Sequence, residues 1–201
     1  NNLASLFRLM GRHSEAEPLQ RQALEGREAT LGSTHPHTLA SMNSLASLLW
    51  LMGRYKEAES FLRRALEGRE ATLGPTHPQT LASLSNVASL LRVLGKHCEA
   101  EKLQRHALQG MEATLGPTHP HTLTCVGALA LVLEDLGEHK EAEVLQRRAL
   151  EVRQSALGAS HPDTLASMNN LAVLLQVLGS HREAEGLQRS ALGGLEAALG
   201  A

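Results

Sequence analysis

Histidine is the most chemically versatile side chain in this sequence, and the 201 residues hold eleven of them. His35 with His37, and His119 with His121, lie two apart and invite a metal. A zinc site needs three or four converging ligands, however, and these pairs have thin carboxylate company. Four histidines stand in His-Pro pairs, at His35, His77, His119 and His161, which recur every 42 residues and so belong to a repeated link. No metal is expected. Cys98 takes a position where other copies carry Ser14, Lys56, Lys140 and Arg182, and Cys125 one where they carry Ser41, Ser83 and Ser167. Both read as replaceable, and neither a CxxC pair nor a disulfide framework is indicated.

Catalysis has no foothold in the motifs: there is no Gly-rich phosphate loop, no GxSxG elbow and no HExxH, and Cys125 lacks patterned His and Asn partners. Paired acids for acid–base work should be singular features, whereas Glu57 and Glu59 have counterparts in every copy. The chain therefore reads as a non-enzyme with no cofactor. An arginine ladder at Arg21, Arg63, Arg105, Arg147 and Arg189 suggests an anion-binding stripe. Each arginine lies four residues after a glutamate (Glu17, Glu59, Glu101, Glu143, Glu185). That is the favourable order for helical ion pairs worth about 0.2–0.5 kcal/mol each, so the ladder reads as a solvated, self-paired face.

The formal charge of −2, from 19 Lys plus Arg against 21 Asp plus Glu, exerts no net pull toward nucleic acid or anionic lipid. No apolar run reaches about 18 residues, and no charged-then-apolar leader is present, so neither a membrane span nor a signal peptide is indicated. A cytoplasmic protein is expected. Because the first residue is Asn1 and helix A of the first copy lacks its opening turns, the sequence reads as an excerpt. Further repeats or another domain are expected beyond at least one end.

The elements that must position these side chains follow from the period. Gly11, Gly53, Gly95, Gly137 and Gly179 keep the 42-residue step, as do the Glu-Ala-Glu triplets starting at Glu15, Glu57, Glu99, Glu141 and Glu183. Within one copy, Leu39, Met42, Leu45, Ala46 and Leu49 recur at spacings of three and four, the apolar stripe of an amphipathic helix A. Gly53 supplies a turn that needs positive φ. Helix B follows over about Tyr55 to Leu73, with Ala58, Leu62, Ala65 and Leu66 inward. Gly74-Pro75-Thr76-His77-Pro78 is the breaker-rich link into the next helix A, with Pro78 suited to a first helical turn. Aromatics are few (Phe7, Trp50, Tyr55, Phe61) and the 42% apolar content is rich in Leu and Ala, so the fold class is all-α. One such hairpin cannot bury its apolar faces alone, and the copies must stack.

Ala46, Ala58 and Ala65, with Leu45, Tyr55 and Leu62, resemble the tetratricopeptide signature of small residues where paired helices cross closely. The match spans the chain. A 42-residue step with a His-Pro link is similar to the repeats of kinesin light chains and nephrocystin-3, and His161-Pro162-Asp163-Thr164-Leu165 through Met168-Asn169-Asn170-Leu171-Ala172 is especially similar. The resemblance implies a right-handed superhelical solenoid, helix A lining a concave groove, helix B outside, and an adaptor or scaffold that binds partner or cargo peptides. A single array is expected, with repeats over roughly 1–35 (helix A truncated), 36–77, 78–119, 120–161 and 162–201. Helix A reads Leu-Leu (Leu48, Leu49; Leu90, Leu91) where kinesin light chains often place Tyr, and helix B carries Gly26, Gly68, Gly110 and Gly194 where they often place Ile. At roughly 1 kcal/mol of helix propensity each, these glycines predict a looser array.

The non-core face of helix A is the candidate peptide site. Asn43, Ser47 and Trp50 align on it, matched by Ser5 and Arg8, by Ser89 and Arg92, and by Asn169, with Asn2, Asn86 and Asn170 alongside. Asparagine offers a donor and an acceptor, suited to clamping an extended peptide backbone without reading its sequence. Arg8, Trp50 and Arg92 add charge and an apolar anchor. In the fourth copy Gly127, Ala128, Leu131, Glu134 and Asp135 replace these groups, so contact is expected to centre on the first three. The partner is a protein or peptide, not nucleic acid, membrane or metal. The competing reading is a spacer or regulatory arm of a larger protein, for example one linked to an NTPase, with no ligand of its own.

Overall fold

The computed structural model describes residues 2–199, with side chains at all of these but 2, 5 and 197–199. Ten helices and no strand occur among the described residues: α1 (Asn2–Leu9), α2 (His13–Leu31), α3 (Pro36–Leu51), α4 (Tyr55–Leu73), α5 (Pro78–Val93), α6 (His97–Leu115), α7 (Pro120–Asp135), α8 (His139–Leu157), α9 (Pro162–Val177) and α10 (His181–Leu199). Odd-numbered helices are the A helices and even-numbered the B helices of five tandem pairs. The architecture is all-α, of the helix-pair solenoid class.

Glycine punctuates every boundary. Helix α3 ends with Gly53 at φ 74°, its N–H donating to the Trp50 carbonyl at 2.9 Å while Arg54 N–H reaches back to Leu49 at 2.9 Å. These are the two bonds of a Schellman motif, and they satisfy carbonyls that the helix end leaves open. At the other boundary Gly74 takes φ 87° and ψ 162°, a region essentially closed to residues with a Cβ, and its N–H donates to Glu70 O at 3.1 Å.

The His-Pro link has a task that spacing alone does not reveal. His77 sits at φ −66° and ψ 138° as the N-cap of α5, and its Nδ1 accepts the backbone N–H of Gln79 at 3.2 Å, with Pro78 in the first turn. His35, His119 and His161 cap α3, α7 and α9 in the same way, onto His37, His121 and Asp163. An N-cap acceptor satisfies one orphan donor and is typically worth about 1 kcal/mol.

By its contacts the chain divides into two compact units, Asn1–Leu103 and Gln104–Ala201. In the first, α1 packs on α2, α2 on α3, α3 on α4 and α4 on α5. In the second, α7 packs on α8, α8 on α9 and α9 on α10. Helices α2, α4 and α8 thus each lie between their own helix A and the next. Leu45, Leu48, Leu49, Ala58 and Ala65 are fully buried in the first unit, and Leu129, Leu133, Ala142 and Ala149 in the second. Alanines at the crossings let backbones approach closely, and leucines fill the remaining space.

The glycines inside helix B are not a simple loss of propensity. A Cβ at Gly68 would stand 2.6 Å from Leu39 Cδ2, and one at Gly194 would stand 2.8 Å from Leu165 Cδ2. The absent side chain is the socket for the helix A leucine. Only Gly26 matches the looser expectation among these three, since a Cβ there meets nothing within 4 Å.

Candidate functional site

Helix α3 buries Leu39, Met42, Leu45, Ala46, Leu48 and Leu49, which leaves Asn43, Ser44, Ser47 and Trp50 as its non-core face. Trp50 is half-buried and meets Tyr55 edge-on, ring centroids 6.5 Å apart, across the A-to-B turn. An edge-to-face contact of this kind fixes the indole, leaving a rigid aromatic surface on the face. On α5, Asn86 is exposed and Ser89 and Arg92 half-buried, while Ser85, the counterpart of Asn43, is buried. Arg8 is exposed on α1; the side chains of Asn2 and Ser5 lie outside the described residues. In the second unit Asn169 and Asn170 are exposed on α9, and Gly127, Ala128 and Leu131 half-buried on α7.

Part of the polar capacity of this face is spent within its own helix. Asn43 Nδ2 donates to the Leu39 carbonyl at 2.9 Å, and its Oδ1 is buried without a partner. Ser47 Oγ donates to the Asn43 carbonyl at 2.9 Å, and Ser44 Oγ to Ala40 at 3.0 Å. In this rotamer one donor of the Asn43 amide is used within α3 and its acceptor faces inward. Sequence reasoning also missed an apolar position beside the stripe. The last residue of helix A is exposed and aliphatic as Leu9, Leu51, Val93 and Val177, and becomes Asp135 in the fourth copy. Its 42-residue recurrence was the available signal.

The B helices carry the charge. The arginine ladder is self-paired, as expected, and it also spans the repeats. Arg21 meets Glu17 of its own helix at 2.9 Å and Glu57 of the next helix B at 3.0 Å. Arg63 meets Glu59 at 2.9 Å and Glu99 at 3.1 Å, and Arg147 meets Glu143 at 2.8 Å and Glu183 at 2.6 Å. Arg105 reaches Glu141 at 2.7 Å, and Arg54 reaches back to Glu17 at 2.6 Å. The hydrogen bond from Arg147 holds the Glu183 carboxyl below its ordinary range, as that from Arg105 does for Glu141 and that from Arg54 for Glu57.

A second arginine series corrects the reading of Cys125. Arg27, Arg69 and Arg153 hydrogen-bond Ser41, Ser83 and Ser167 of the following helix A. At the equivalent third position the pair is Met111 and Cys125, 1% and 2% exposed. The cysteine is not freely exchangeable with serine, because its partner has changed with it. Cys98 is exposed. At the start of helix B, Nδ1 of His13 and of His139 is buried, whereas His181 is exposed. No group of three or more His, Cys, Asp or Glu among the described residues could hold a metal, and no described helix is long and apolar enough to cross a membrane.

A family model for the tetratricopeptide repeat matches residues 1–71, 45–97, 79–154 and 126–197. The chain belongs to the tetratricopeptide repeat family. No curated protein sequence matches it significantly. Among solved structures, a candidate kinesin light chain of Podosopora anserina with nearly identical TPR-like repeats is 29% identical at TM-score 0.78, over 98% of this chain and 93% of that one. A point variant of that protein is 28% identical at TM-score 0.82, over 100% and 94%. BtubC (BKLC) of P. vanneervenii shares the fold at 24% identity and TM-score 0.82, over 99% of this chain and 79% of that one. The repeats resemble those of the kinesin-light-chain type, and the tetratricopeptide family membership makes the chain a protein–protein interaction module.

Proposed function

We propose that the helix A face binds an extended peptide segment of a partner protein, and that the chain acts as an adaptor or scaffold in a cytoplasmic setting. The observation that carries this reading is the composition of the non-core face in the first unit. Asn43, Ser47 and the edge-stacked Trp50 on α3, with Asn86 and Ser89 on α5, combine a rigid aromatic, exposed aliphatics and backbone-compatible polar groups. Aromatic anchors ringed by polar contacts dominate the energetics of protein interfaces. The tetratricopeptide relationship supports the same face, which would line the concave groove. The B helices compete poorly for this role because their arginines are paired along the array.

Phage display of random peptides against the 201-residue chain tests the proposal. Selected peptides are expected to lose binding roughly tenfold or more on Trp50→Ala, a typical hot-spot loss, and on Asn43→Ala with Asn86→Ala. Arg63→Ala on helix B should leave their affinity unchanged. Selected peptides that bind the Trp50→Ala and asparagine variants as tightly as the parent chain would overturn it.

One observation favours the second reading, a spacer or regulatory arm. Asn43 and Ser47 satisfy donors on their own helix, as solvated helix residues do. On that reading no peptide is selected above background.

A further inference from the structure

We propose that the notch beside the Gly53 turn binds a small carboxylate with an apolar body, an arylalkanoate in chemical class, at a site separate from the helix A peptide face. Gly53, Arg54, Tyr55, Lys56 and Glu57, at the turn into α4, line a cavity of about 370 Å³ together with Leu94 at the end of α5. That volume falls in the range of small-molecule sites. A second notch of about 460 Å³ recurs two 42-residue steps later, lined by Gly137, Glu138, His139, Lys140, Glu141 and Leu178. The lining of the first belongs wholly to the first unit and that of the second to the second unit. The shape therefore comes from the repeat, and the side chains of each copy set what it holds.

The first notch has an apolar lining that is held in place. The Tyr55 ring is braced by its edge-on contact with Trp50, and half-buried Leu94 supplies an aliphatic wall. Gly53, at φ 74°, adds bare backbone with no Cβ, so a ligand can approach the turn closely.

Charge selects the ligand. Arg54 pairs with Glu57 at 2.5 Å and with Glu17 at 2.6 Å, and Arg21 meets Glu57 at 3.0 Å, so the arginine and the acid of the notch are already matched. Lys56 is exposed, and no carboxylate pairs with it among the described residues. Its ammonium is left as the uncompensated charge of the notch. At the second notch Glu141 is likewise engaged, by Arg105 at 2.7 Å, but there Glu138 replaces Arg54 and sets an acid beside Lys140. A carboxylate is therefore favoured at the first notch over the second. An apolar body against Tyr55 and Leu94, with its carboxylate accepting from the Lys56 ammonium, uses every feature that distinguishes the first site.

Trp50 is the only tryptophan of the chain and touches Tyr55, so its emission reports on the notch. Titrating the 201-residue chain with 3-phenylpropanoate should shift that emission saturably, with a Kd on the order of 1 mM, ordinary for so small a ligand. Amide chemical-shift changes should centre on Gly53 and Leu94. Lys56→Met is expected to weaken binding roughly tenfold, the loss of one charge-assisted hydrogen bond. The uncharged 3-phenylpropanamide should bind the parent chain weakly by about the same factor and be indifferent to Lys56→Met. Lys140→Met should leave the Trp50 titration unchanged. Both lysines are exposed, so circular dichroism should show unchanged helix content in each variant. Neither readout involves a peptide, so the outcome is independent of the peptide-binding proposal. The absence of a saturable shift at any soluble concentration, equal affinity of the parent and Lys56→Met chains for the carboxylate, or shift changes confined to the Asn43 and Ser47 face would overturn the proposal.

Discussion

Arg69 and Met111 occupy one position of successive repeats, and what each touches explains the difference. Arg69 is partly buried, burial pushes its guanidinium below the ordinary value, and it bonds the Ser83 hydroxyl and the Gln79 carbonyl at 3.3 Å. Met111 and Cys125 replace that polar pair with two buried apolar groups. Exchanging both members of a buried polar pair is nearly neutral, whereas exchanging one strands the other. Met111→Arg alone is therefore expected to destabilise the chain by about 3 kcal/mol, since it buries a cation beside a poor acceptor. Adding Cys125→Ser should recover about 1 kcal/mol or more of that loss in a double-mutant cycle read by urea unfolding. A coupling energy near zero would mean the two positions vary independently.

At the scale of the helix, glycine inside helix B changes meaning with its surroundings. Gly68→Ala pushes a Cβ to 2.6 Å from Leu39 Cδ2, a leucine that is itself 2% exposed. Overpacking of about 1–3 kcal/mol should outweigh the gain in helix propensity, and the melting temperature should fall. Gly26→Ala meets open space and should instead gain about 0.5–1 kcal/mol. Melting curves of the two variants moving in the same direction would refute this. The contrast shows what was legible in the sequence. Helix positions, the Gly53 turn and the leucine core follow from spacings of three, four and 42, because those periods are local. The Gly68 socket, the His77 cap and the pairing of Arg69 with Ser83 depend on which residues of the neighbouring helix arrive beside them. The groove residues stood out as breaks in the period, but the way Asn43 turns back onto Leu39 is set by rotamer and not by spacing.

Over the whole molecule, the B helices form a chain of arginine and glutamate contacts that joins each repeat to the next within both units. Arg63 links Glu59 to Glu99, and Arg147 links Glu143 to Glu183. Exposed pairs of this kind contribute little singly, since water and salt screen them, and their effect lies in repetition. The carboxyls of Glu57, Glu141 and Glu183 are held low in the folded chain by hydrogen bonds from Arg54, Arg105 and Arg147. A depressed folded value means the unfolded chain binds more protons on acidification, so stability rises with pH in that window. The contribution is complete above the unfolded glutamate value of about 4.3 and is lost as pH falls through the folded values. The urea midpoint should therefore drop steeply below about pH 4.5, and the drop should shrink near 1 M salt, where screening acts over about 3 Å. Replacing Arg54, Arg105 and Arg147 together by Gln should flatten the same limb while changing the neutral midpoint only modestly. An acid limb of unchanged steepness in that triple variant would show that the ladder decorates the array without coupling its repeats.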